Sequence, residues 1–272
     1  MRIPCGLPQD HSFKGGRKLK KNGLKKALQS GKTVLGPFLK LTDPAVVEIM
    51  GFAGFDFVII DAEHGPISMQ SAQNMIRAAE TANITPIIRV ANNDESLILR
   101  ALDIRAQGVQ IPQINRKSDA LCAVRSVKYS PQGERGVCRY VRAANYSSMD
   151  KFKYFKSANE ETMIIAHIEG VEGINNLDEI LSVPGMDVIF IGPYDLSQSL
   201  GIPGEVNHSL VIEKMKEVVL KCKQNKIAVG TFADDIQTAK KWISLGIQYM
   251  SFSVDVGILY EVSKQIVEKL KK

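Results

Sequence analysis

The sequence predicts a single (β/α)₈ barrel, and three observations support this prediction. Eight short apolar segments alternate with amphipathic ones along the 272 residues. No hairpin signal joins consecutive strands, so the strands should be parallel and connected by crossover helices. The strands are apolar on both faces, which predicts burial on both sides. Eight such units in about 250 residues fit a closed barrel better than a doubly wound sheet.

The strand candidates occupy residues 33–39, 57–61, 85–90, 108–112, 162–169, 187–192, 227–232 and 249–254. Between them, segments 44–53, 68–82, 94–105 and 234–246 carry apolar residues at three- and four-residue spacing, which predicts helices. Several helices run into a glycine or asparagine of the kind that ends helices, at Gly54, Asn83, Gly108 and Gly246. The stretch 129–161 lacks a clear period, and we expect a long functional loop there.

The net charge of +6 is concentrated at the two ends of the chain. Its lysines and arginines at 17–26 and 269–272 have no interleaved aromatic residues, so we expect solvated ends and no nucleic-acid surface. We assign residues 1–21 to a basic N-terminal extension and residues 22–272 to the barrel domain. No apolar run approaches the roughly 18 residues of a membrane span, and the N-terminus lacks the apolar segment of a secretory signal.

The four cysteines have no paired spacing; they are Cys5, Cys122, Cys138 and Cys222. This pattern favours reduced thiols and gives neither a disulfide framework nor a zinc cluster. We therefore expect a cytoplasmic protein that does not associate with membranes.

Polar and ionisable residues collect at the carboxyl ends of the predicted strands. In a (β/α)₈ barrel these ends meet at one mouth, where the chemistry takes place. Asp195 and Asp255 are each compatible with a simple helix N-cap. Arg89, Glu169 and His64 are harder to explain as caps, so their convergence indicates an active site. The residues in question are Asp61, Glu63, His64, Arg89, Gln110, His167, Glu169, Asp195, Ser253 and Asp255.

Five sequence blocks resemble the signature segments of the HpcH/HpaI aldolase family: IIDAEHGP, PIIRV, SPQGERGV, IEGVEGINN and IGPYDLSQSLG. The match runs in order from about Asn22 to the C-terminus. The family consists of metal-dependent (class II) aldolases that make or cleave 2-keto acids. The resemblance implies a phosphoenolpyruvate/pyruvate-type barrel and a homohexamer, a trimer of dimers that exchange a terminal helix. It also implies reversible cleavage of a 4-hydroxy-2-keto acid to pyruvate and an aldehyde.

At matching positions, Glu169 and Asp195 resemble the metal ligands of that family. Two hard carboxylates suit Mg²⁺ or Mn²⁺, with Co²⁺ as a third candidate. The cation would act as a Lewis acid that stabilises the pyruvate enolate. Arg89 resembles the arginine of the family's active site, whose fork of donors can hold the keto oxygen.

His64 is expected to take a proton from the aldol hydroxyl and return one to the enolate. Asp61 resembles the acid that orients this imidazole, and Glu63 is assigned a supporting hydrogen bond. The start of the helix after the sixth strand is expected to bind the substrate carboxylate through its N–H groups. The residues expected to contact the substrate in that segment are Gly192, Pro193, Tyr194 and Asp195.

Three points stay open at the level of sequence. His167 stands where family members often have glutamine, and it either hydrogen-bonds pyruvate or joins the metal shell. Lys40, at the tip of the first strand, keeps a Schiff-base aldolase as an alternative. Condensation or decarboxylation of oxaloacetate at the same site is another alternative.

The loop GERGVCRYVRAANY is expected to lie on the barrel mouth and to influence the choice of aldehyde. Its arginines are Arg135, Arg139 and Arg142. They would favour an acidic or polyhydroxylated aldehyde, or they would tie the loop or a subunit contact in place.

Overall fold

The structure is a computed structural model that describes residues 21–271. All but the last residue of the predicted basic extension, and with it Cys5, therefore lies outside the described residues. The strands are β1 Val34–Leu39, β2 Phe57–Asp61, β3 Thr85–Arg89, β4 Gly108–Ile111, β5 Met163–Ile168, β6 Val188–Ile191, β7 Ala228–Ala233 and β8 Tyr249–Val254. Each one matches a predicted strand to within one residue at either end.

The α-helices before β5 are α1 Gly23–Gln29, α2 Pro44–Phe52, α3 Met69–Thr81, α4 Glu95–Asp103, α5 Lys117–Val127 and α6 Lys151–Glu161. Those after it are α7 Val171–Asn175, α8 Leu177–Leu181, α9 Pro193–Ser199, α10 Ser209–Gln224, α11 Ile236–Ser244 and α12 Asp255–Leu270. Among the helices of residues 21–271, none has the length and apolar character that a membrane crossing requires.

The eight strands form one closed parallel barrel. Each strand pairs with the next along the chain, and β8 pairs back with β1. The fold class predicted from the sequence is therefore confirmed. All five residues of β2 and all five of β3 are buried, because helices cover the outside and side chains fill the inside.

Two buried layers follow from the alternation of side chains along each strand. The outer layer, between strands and helices, includes Val58, Ile60 and Ile88. The inner layer fills the barrel itself and contains the aromatic pair Phe57 and Tyr249, stacked 4.1 Å apart. Inward-facing positions near the carboxyl ends of the strands therefore open into the mouth.

Helix α1 closes the opposite, amino-terminal end of the barrel. Leu24 and Leu28 from this helix belong to the inner layer. Asn22 caps the helix through Lys25 N–H, and its side-chain amide donates to the carbonyl oxygens of Gln107 and Glu161. These contacts attach α1 to the residues that precede β4 and β5.

The stretch 129–161, expected to be irregular, is partly helical. It contains a 3₁₀ helix at Arg142–Ser147 and the helix α6. Asp150 caps α6, and Tyr154 and Ala158 on its buried side pack against Tyr129 in a small separate core. This helix could not be recognised from the sequence because many of its residues are charged and only a narrow stripe of its surface is apolar.

Lys128, which follows α5, is a buried cation near the amino-terminal end of the barrel. Its side chain is 3% exposed, and its Nζ donates to the carbonyl oxygens of Asn159 and Thr162 at 2.8 Å each. Burial lowers the pKa of Lys128 to about 8. The folded protein therefore holds this proton more weakly than the unfolded chain does.

Lys128→Met should remove a pH dependence of stability. Between about pH 8 and the ordinary lysine value of 10.5, the unfolded wild-type chain binds more protons, so its free energy of unfolding should rise with pH. The variant lacks this contribution. Urea unfolding at pH 7, 8, 9 and 10 measures the difference between the two proteins, which should change in favour of the wild type above pH 8. A difference in the free energy of unfolding that is the same at all four pH values would contradict the lowered pKa of Lys128.

Candidate active site at the carboxyl ends of the strands

Side-chain alternation turns the ends of the strands into the barrel mouth. Ile59 on β2 and Ile87 on β3 belong to the inner layer, so Asp61 and Arg89, two residues further on, also face inward. The parallel ladder pairs Asp61 directly with Arg89. The same two-residue step on β5 aims His167 into the mouth.

Arg89 is held between two carboxylates. Its Nε and Nη2 donate to the two oxygens of Asp61 at 2.9 and 2.8 Å, and its Nη1 lies 3.0 Å from Glu63 Oε2. The guanidinium carbon also lies 4.6 Å from the centre of the Phe38 ring. A guanidinium has five N–H donors. Two of them hydrogen-bond Asp61, and the contact with Glu63 is an ion pair without a hydrogen bond, so N–H donors on Nη1 and Nη2 remain for a ligand in the mouth.

Asp61 is fully buried and accepts four hydrogen bonds. Besides the two from Arg89, its Oδ1 accepts from the backbone N–H groups of Glu63 and His64 at 3.2 Å. Burial alone would raise the pKa of Asp61, but the hydrogen bonds and charge of Arg89 hold it below its usual range. Asp61 is therefore a permanent anion that fixes Arg89 and the turn carrying His64.

The Asp61 carboxylate reaches His64 through the backbone N–H, and its expected role toward the imidazole stays a prediction. The carboxylate beside the His64 ring is that of Glu63, whose Oε2 lies 3.8 Å from Nε2. The His64 side chain is 63% exposed, so it sits at the edge of the mouth in contact with solvent. Such an imidazole can exchange protons with a bound substrate and with water.

Three carboxylates interact electrostatically beside Arg89 in the mouth, those of Glu63, Glu169 and Asp195. Burial raises the pKa of Glu169 to about 7, and the neighbouring charges of Glu63 and Asp195 add to the effect. Burial likewise raises the pKa of Glu63. Like charges gathered in a half-buried site favour a bound cation, and oxygen donors of this kind suit a hard divalent one.

The expected metal ligands fit this arrangement. Within residues 21–271, no group of three or more His, Cys, Asp and Glu side chains is arranged to hold a metal ion. Glu169 and Asp195, the two ligands expected from the sequence, would leave the remaining positions of a cation to substrate and water.

His167 lies beside these carboxylates with one nitrogen unused. Its Nδ1 is 3.4 Å from Glu169 Oε1 and 3.5 Å from Gln110 Nε2, whereas its buried Nε2 has no partner among the described residues. Burial lowers the pKa of His167 to about 3, with a further contribution from Arg89, so the ring is neutral at pH 7. A buried unpaired nitrogen is costly, and it indicates a place where a ligand completes the bonding.

Gly192 keeps open the space that this nitrogen faces. A Cβ at this position would lie 3.0 Å from His167 Nε2 and 2.9 Å from Asp195 Oδ2. The glycine therefore leaves a small cradle between an imidazole and a carboxylate. A cation or a small polar ligand atom fits there, and a methyl group does not.

Helix α9 begins at this cradle and brings Tyr194 to the rim. Pro193, its first residue, has no N–H, so Tyr194 and Asp195 carry the first free N–H groups of a helix only seven residues long. The Tyr194 hydroxyl donates to Asp234, which raises the pKa of Tyr194 to about 12. Tyr194 is 42% exposed.

Lys40 and Asp255 lie at the ends of neighbouring strands with different roles. Asp255 is buried, and its carboxylate accepts from the backbone N–H groups of Lys40 and Leu41 at 2.9 to 3.1 Å. Asp255 is therefore an anchor between β8 and the end of β1. Lys40 is only partly buried, so it lacks the desolvation that activates a Schiff-base amine.

The arginine loop lies at the opposite end of the barrel from the mouth. Arg135 donates to Asp103 at 2.7 Å, and Arg142 bonds Glu80 and the carbonyl oxygen of Ile104. These partners stand at the carboxyl ends of α3 and α4, next to the amino ends of the strands. The expectation that this loop lines its own barrel's mouth is wrong, because α5 carries the chain back down before the loop begins.

Arg135 and Arg142 therefore tie the loop in place, as the second of the two sequence interpretations proposes. Arg139 is exposed.

Sequence reasoning missed Asp234 as a residue of the mouth. The signal was present, since Asp234 comes two residues after Phe232, at the carboxyl end of β7.

Comparison with known proteins gives a consistent result. Residues 34–261 match the family model described as HpcH/HpaI aldolase/citrate lyase. A hydroxypyruvate/pyruvate aldolase from Roseobacter denitrificans is 32% identical over 252 residues, which cover 92% of this chain and 98% of that protein.

Two solved structures share the fold over nearly the whole chain. An HpcH/HpaI aldolase/citrate lyase family protein from Burkholderia cenocepacia superposes with a TM-score of 0.87 at 32% identity, covering 92% of this chain and all of that one. The citrate synthase SbnG superposes with a TM-score of 0.82 at 31% identity, covering 91% and 97%.

Gly192→Ala should close the cradle while leaving the fold intact. The added methyl group would crowd His167 Nε2 and Asp195 Oδ2, so Mn²⁺ affinity measured by calorimetry should fall at least about tenfold. Gly136→Ala is the matched control, because its Cβ would meet only Leu99 at an ordinary 3.6 Å. Equal Mn²⁺ affinity in the two variants would show that the cradle is not part of the metal site.

Proposed function

Because the chain belongs to the HpcH/HpaI aldolase/citrate lyase family, we propose that it cleaves a 4-hydroxy-2-keto acid reversibly to pyruvate and an aldehyde. One observation carries this proposal: the buried fork of Arg89, the carboxylates of Glu169 and Asp195 and the unpaired Nε2 of His167 meet at one mouth. An α-keto acid, with adjacent carbonyl and carboxylate oxygens, matches such a set of groups. The enzyme class that follows is an aldehyde-lyase, a carbon–carbon lyase that releases an aldehyde.

Glu169 and Asp195 would hold Mg²⁺ or Mn²⁺, with Co²⁺ as a third candidate. The bound cation would supply Lewis-acid stabilisation of the negative charge that develops on the keto oxygen during cleavage. The like-charge crowding that raises the pKa of Glu169 supports this assignment, since it is relieved by a cation.

Arg89 orients the keto acid and stabilises its developing charge. Asp61 and Glu63 fix the guanidinium before any substrate arrives, so its remaining N–H groups need no reorganisation during the reaction. His167 faces the same space as a neutral imidazole. We assign it a hydrogen bond to the bound keto acid, because its Nδ1 already lies between Glu169 and Gln110.

His64 handles the proton. In the cleavage direction the bond between C3 and C4 breaks, its electron pair passes to the keto-acid fragment, and the C4 hydroxyl gives its proton to His64. The aldehyde leaves, and a proton returned to C3 completes pyruvate. Glu63, 3.8 Å from the ring, supports the protonated imidazole between these steps.

A second candidate function keeps the site and changes the reaction. The similarity to the citrate synthase SbnG, at 31% identity, favours condensation of an enolate with a keto acid such as oxaloacetate. Decarboxylation of oxaloacetate would use the same groups. The Schiff-base alternative at Lys40 gains no support, since that lysine is only partly buried and Glu169 and Asp195 stand at the mouth.

The test of the function is pyruvate release from a panel of 4-hydroxy-2-keto acids with Mg²⁺, Mn²⁺ and Co²⁺. We expect metal-dependent release that a chelator abolishes, and no covalent adduct after borohydride with pyruvate. His64→Asn should lower kcat about a hundredfold or more, because proton transfer by a positioned side chain contributes on this order.

His208→Asn is the matched control for His64→Asn. His208 is the N-cap of α10, where asparagine caps equally well. Chelator-resistant cleavage with a borohydride adduct would replace the metal mechanism by a Schiff base at Lys40. Products from oxaloacetate alone, with no cleavage of any 4-hydroxy-2-keto acid, would favour the second candidate.

We also propose a cytoplasmic homohexamer arranged as a trimer of dimers. Helix α12 buries only Asp255, and its exposed apolar residues include Leu259, Tyr260 and Ile266. Phe52 on α2 is also exposed, at 77%. Unpartnered apolar residues on one helix support the proposal that this helix is shared between subunits. The free, exposed thiols of Cys122 and Cys138 are consistent with a reducing compartment.

The oligomeric state is measured by light scattering on the protein as it elutes from a size-exclusion column. Leu259→Glu together with Ile266→Glu should convert the assembly to monomers, because each places a charge on the apolar face of α12. The paired change Lys264→Glu and Glu268→Lys on the same helix serves as a charge control. A wild-type monomer in dilute solution would remove the proposal.

A further inference from the structure

A group of three residues on one side of the mouth has no role in the steps described above. Phe232 lies at the carboxyl end of β7 with its ring packed 6.1 Å from that of Phe38. Ala233 belongs to the outer layer, so Phe232 and Asp234 stand on the side of the strand that faces the mouth. Asp234 itself is exposed.

Tyr194 connects this strand end to the loop after β6. Its ring lies 6.3 Å from that of Phe232, and its hydroxyl donates to Asp234 Oδ2. The hydrogen bond ties helix α9 to the loop after β7 and holds the Asp234 carboxylate beside the Tyr194 ring. We call Phe232, Tyr194 and Asp234 the acceptor wall.

The acceptor wall stands one aromatic ring away from Arg89. Phe38 contacts Phe232 on one side and the Arg89 guanidinium, at 4.6 Å, on the other. We expect the C4 substituent of a keto acid oriented by Arg89 to extend over these rings. The group that lies there is the part of the substrate that leaves as the aldehyde.

We propose that the acceptor wall binds the aldehyde portion of the substrate and selects a neutral, hydroxylated aldehyde over an anionic one. This inference rests on the proposed function. Phe232 and the Tyr194 ring supply the apolar surface for the carbon chain. Asp234 Oδ1, which has no partner among residues 21–271, accepts a hydrogen bond from a hydroxyl of the aldehyde. Its negative charge disfavours a second carboxylate at the same place.

The other charges of the mouth agree with this choice. Arg135 and Arg142 lie at the opposite end of the barrel, and Arg116 is paired with Glu172 at 2.8 Å. Lys40 is the cation that could attract an acidic aldehyde instead. It extends from β1, which is separated from β7 by β8 alone, and Phe38 of β1 contacts Phe232 of β7, so Lys40 competes with Asp234 on the same side of the mouth.

The experiment measures kcat/KM for aldol addition of pyruvate, with Mn²⁺, to three aldehydes. Glyceraldehyde is neutral and hydroxylated, butyraldehyde is neutral without a hydroxyl, and succinic semialdehyde is anionic. The wild type should prefer glyceraldehyde to both others. Asp234→Asn keeps an oxygen acceptor and removes the charge, so it should raise the value for succinic semialdehyde relative to glyceraldehyde about tenfold.

Tyr194→Phe should lower the preference for glyceraldehyde over butyraldehyde, because it frees the Asp234 carboxylate from its fixed position. The KM for pyruvate should stay unchanged in both variants, which a general distortion of the site would not allow. Glu179→Gln is the matched control, since it removes one exposed carboxylate from α8 in the outer helix layer.

The outcomes separate this inference from the function on which it rests. If no aldehyde reacts with pyruvate in the wild type, the proposed aldolase function fails. If the wild type reacts but Asp234→Asn and Glu179→Gln show the same ratios, the acceptor wall fails alone. A wild-type preference for succinic semialdehyde, lost in Lys40→Gln, would assign the choice of aldehyde to Lys40.

Discussion

Asp61 and Arg89 bury opposite charges side by side at the ends of β2 and β3. The ladder places their backbones opposite each other, so the pair forms only when the two strands are in the observed register. Removing one partner of such a buried pair typically costs about 3–5 kcal/mol, because the other charge is left without compensation. The interaction therefore fixes the strand register and the donors of Arg89 at once. It also places the turn with Glu63 and His64, whose N–H groups bind the same carboxylate.

The acidic residues of the same mouth are arranged on the contrary principle. Glu63, Glu169 and Asp195 repel one another, and the pKa of Glu169 rises because burial and these charges act together. His167 stays neutral among them because burial and the charge of Arg89 both disfavour its protonated form. Favourable and unfavourable charge arrangements thus lie within one mouth. Unfavourable groupings of this kind are typical of sites that a ligand or cation completes.

Much of the fold could be predicted from the sequence, because strands buried on both faces and amphipathic helices leave clear periods. The end of β2 at Asp61 follows from those periods, and β3 ends at Arg89, one residue before its predicted end. Partner choice could not be predicted in the same way. Asp61 and His64 are three residues apart, yet the Asp61 carboxylate bonds Arg89, 28 residues away. Only the pairing of β2 with β3 shows that the Asp61 carboxylate lies closer to the Arg89 side chain than to the His64 ring. Helix α6 could not be recognised from the sequence because its apolar stripe is narrow.

The arginine loop shows why direction along the barrel matters for function. Residues 129–150 follow a complete βα unit, so they start at the amino ends of the strands, and only a loop that directly follows a strand opens onto the mouth. Composition alone points to the basic loop as the place where an acidic substrate binds. Topology instead brings Tyr194 and Asp234, from the loops after β6 and β7, beside the aromatic rings of the mouth. The segments that directly follow the strands therefore determine which charge lies beside the aldehyde portion of the substrate. In our proposal this charge is that of Asp234, after β7.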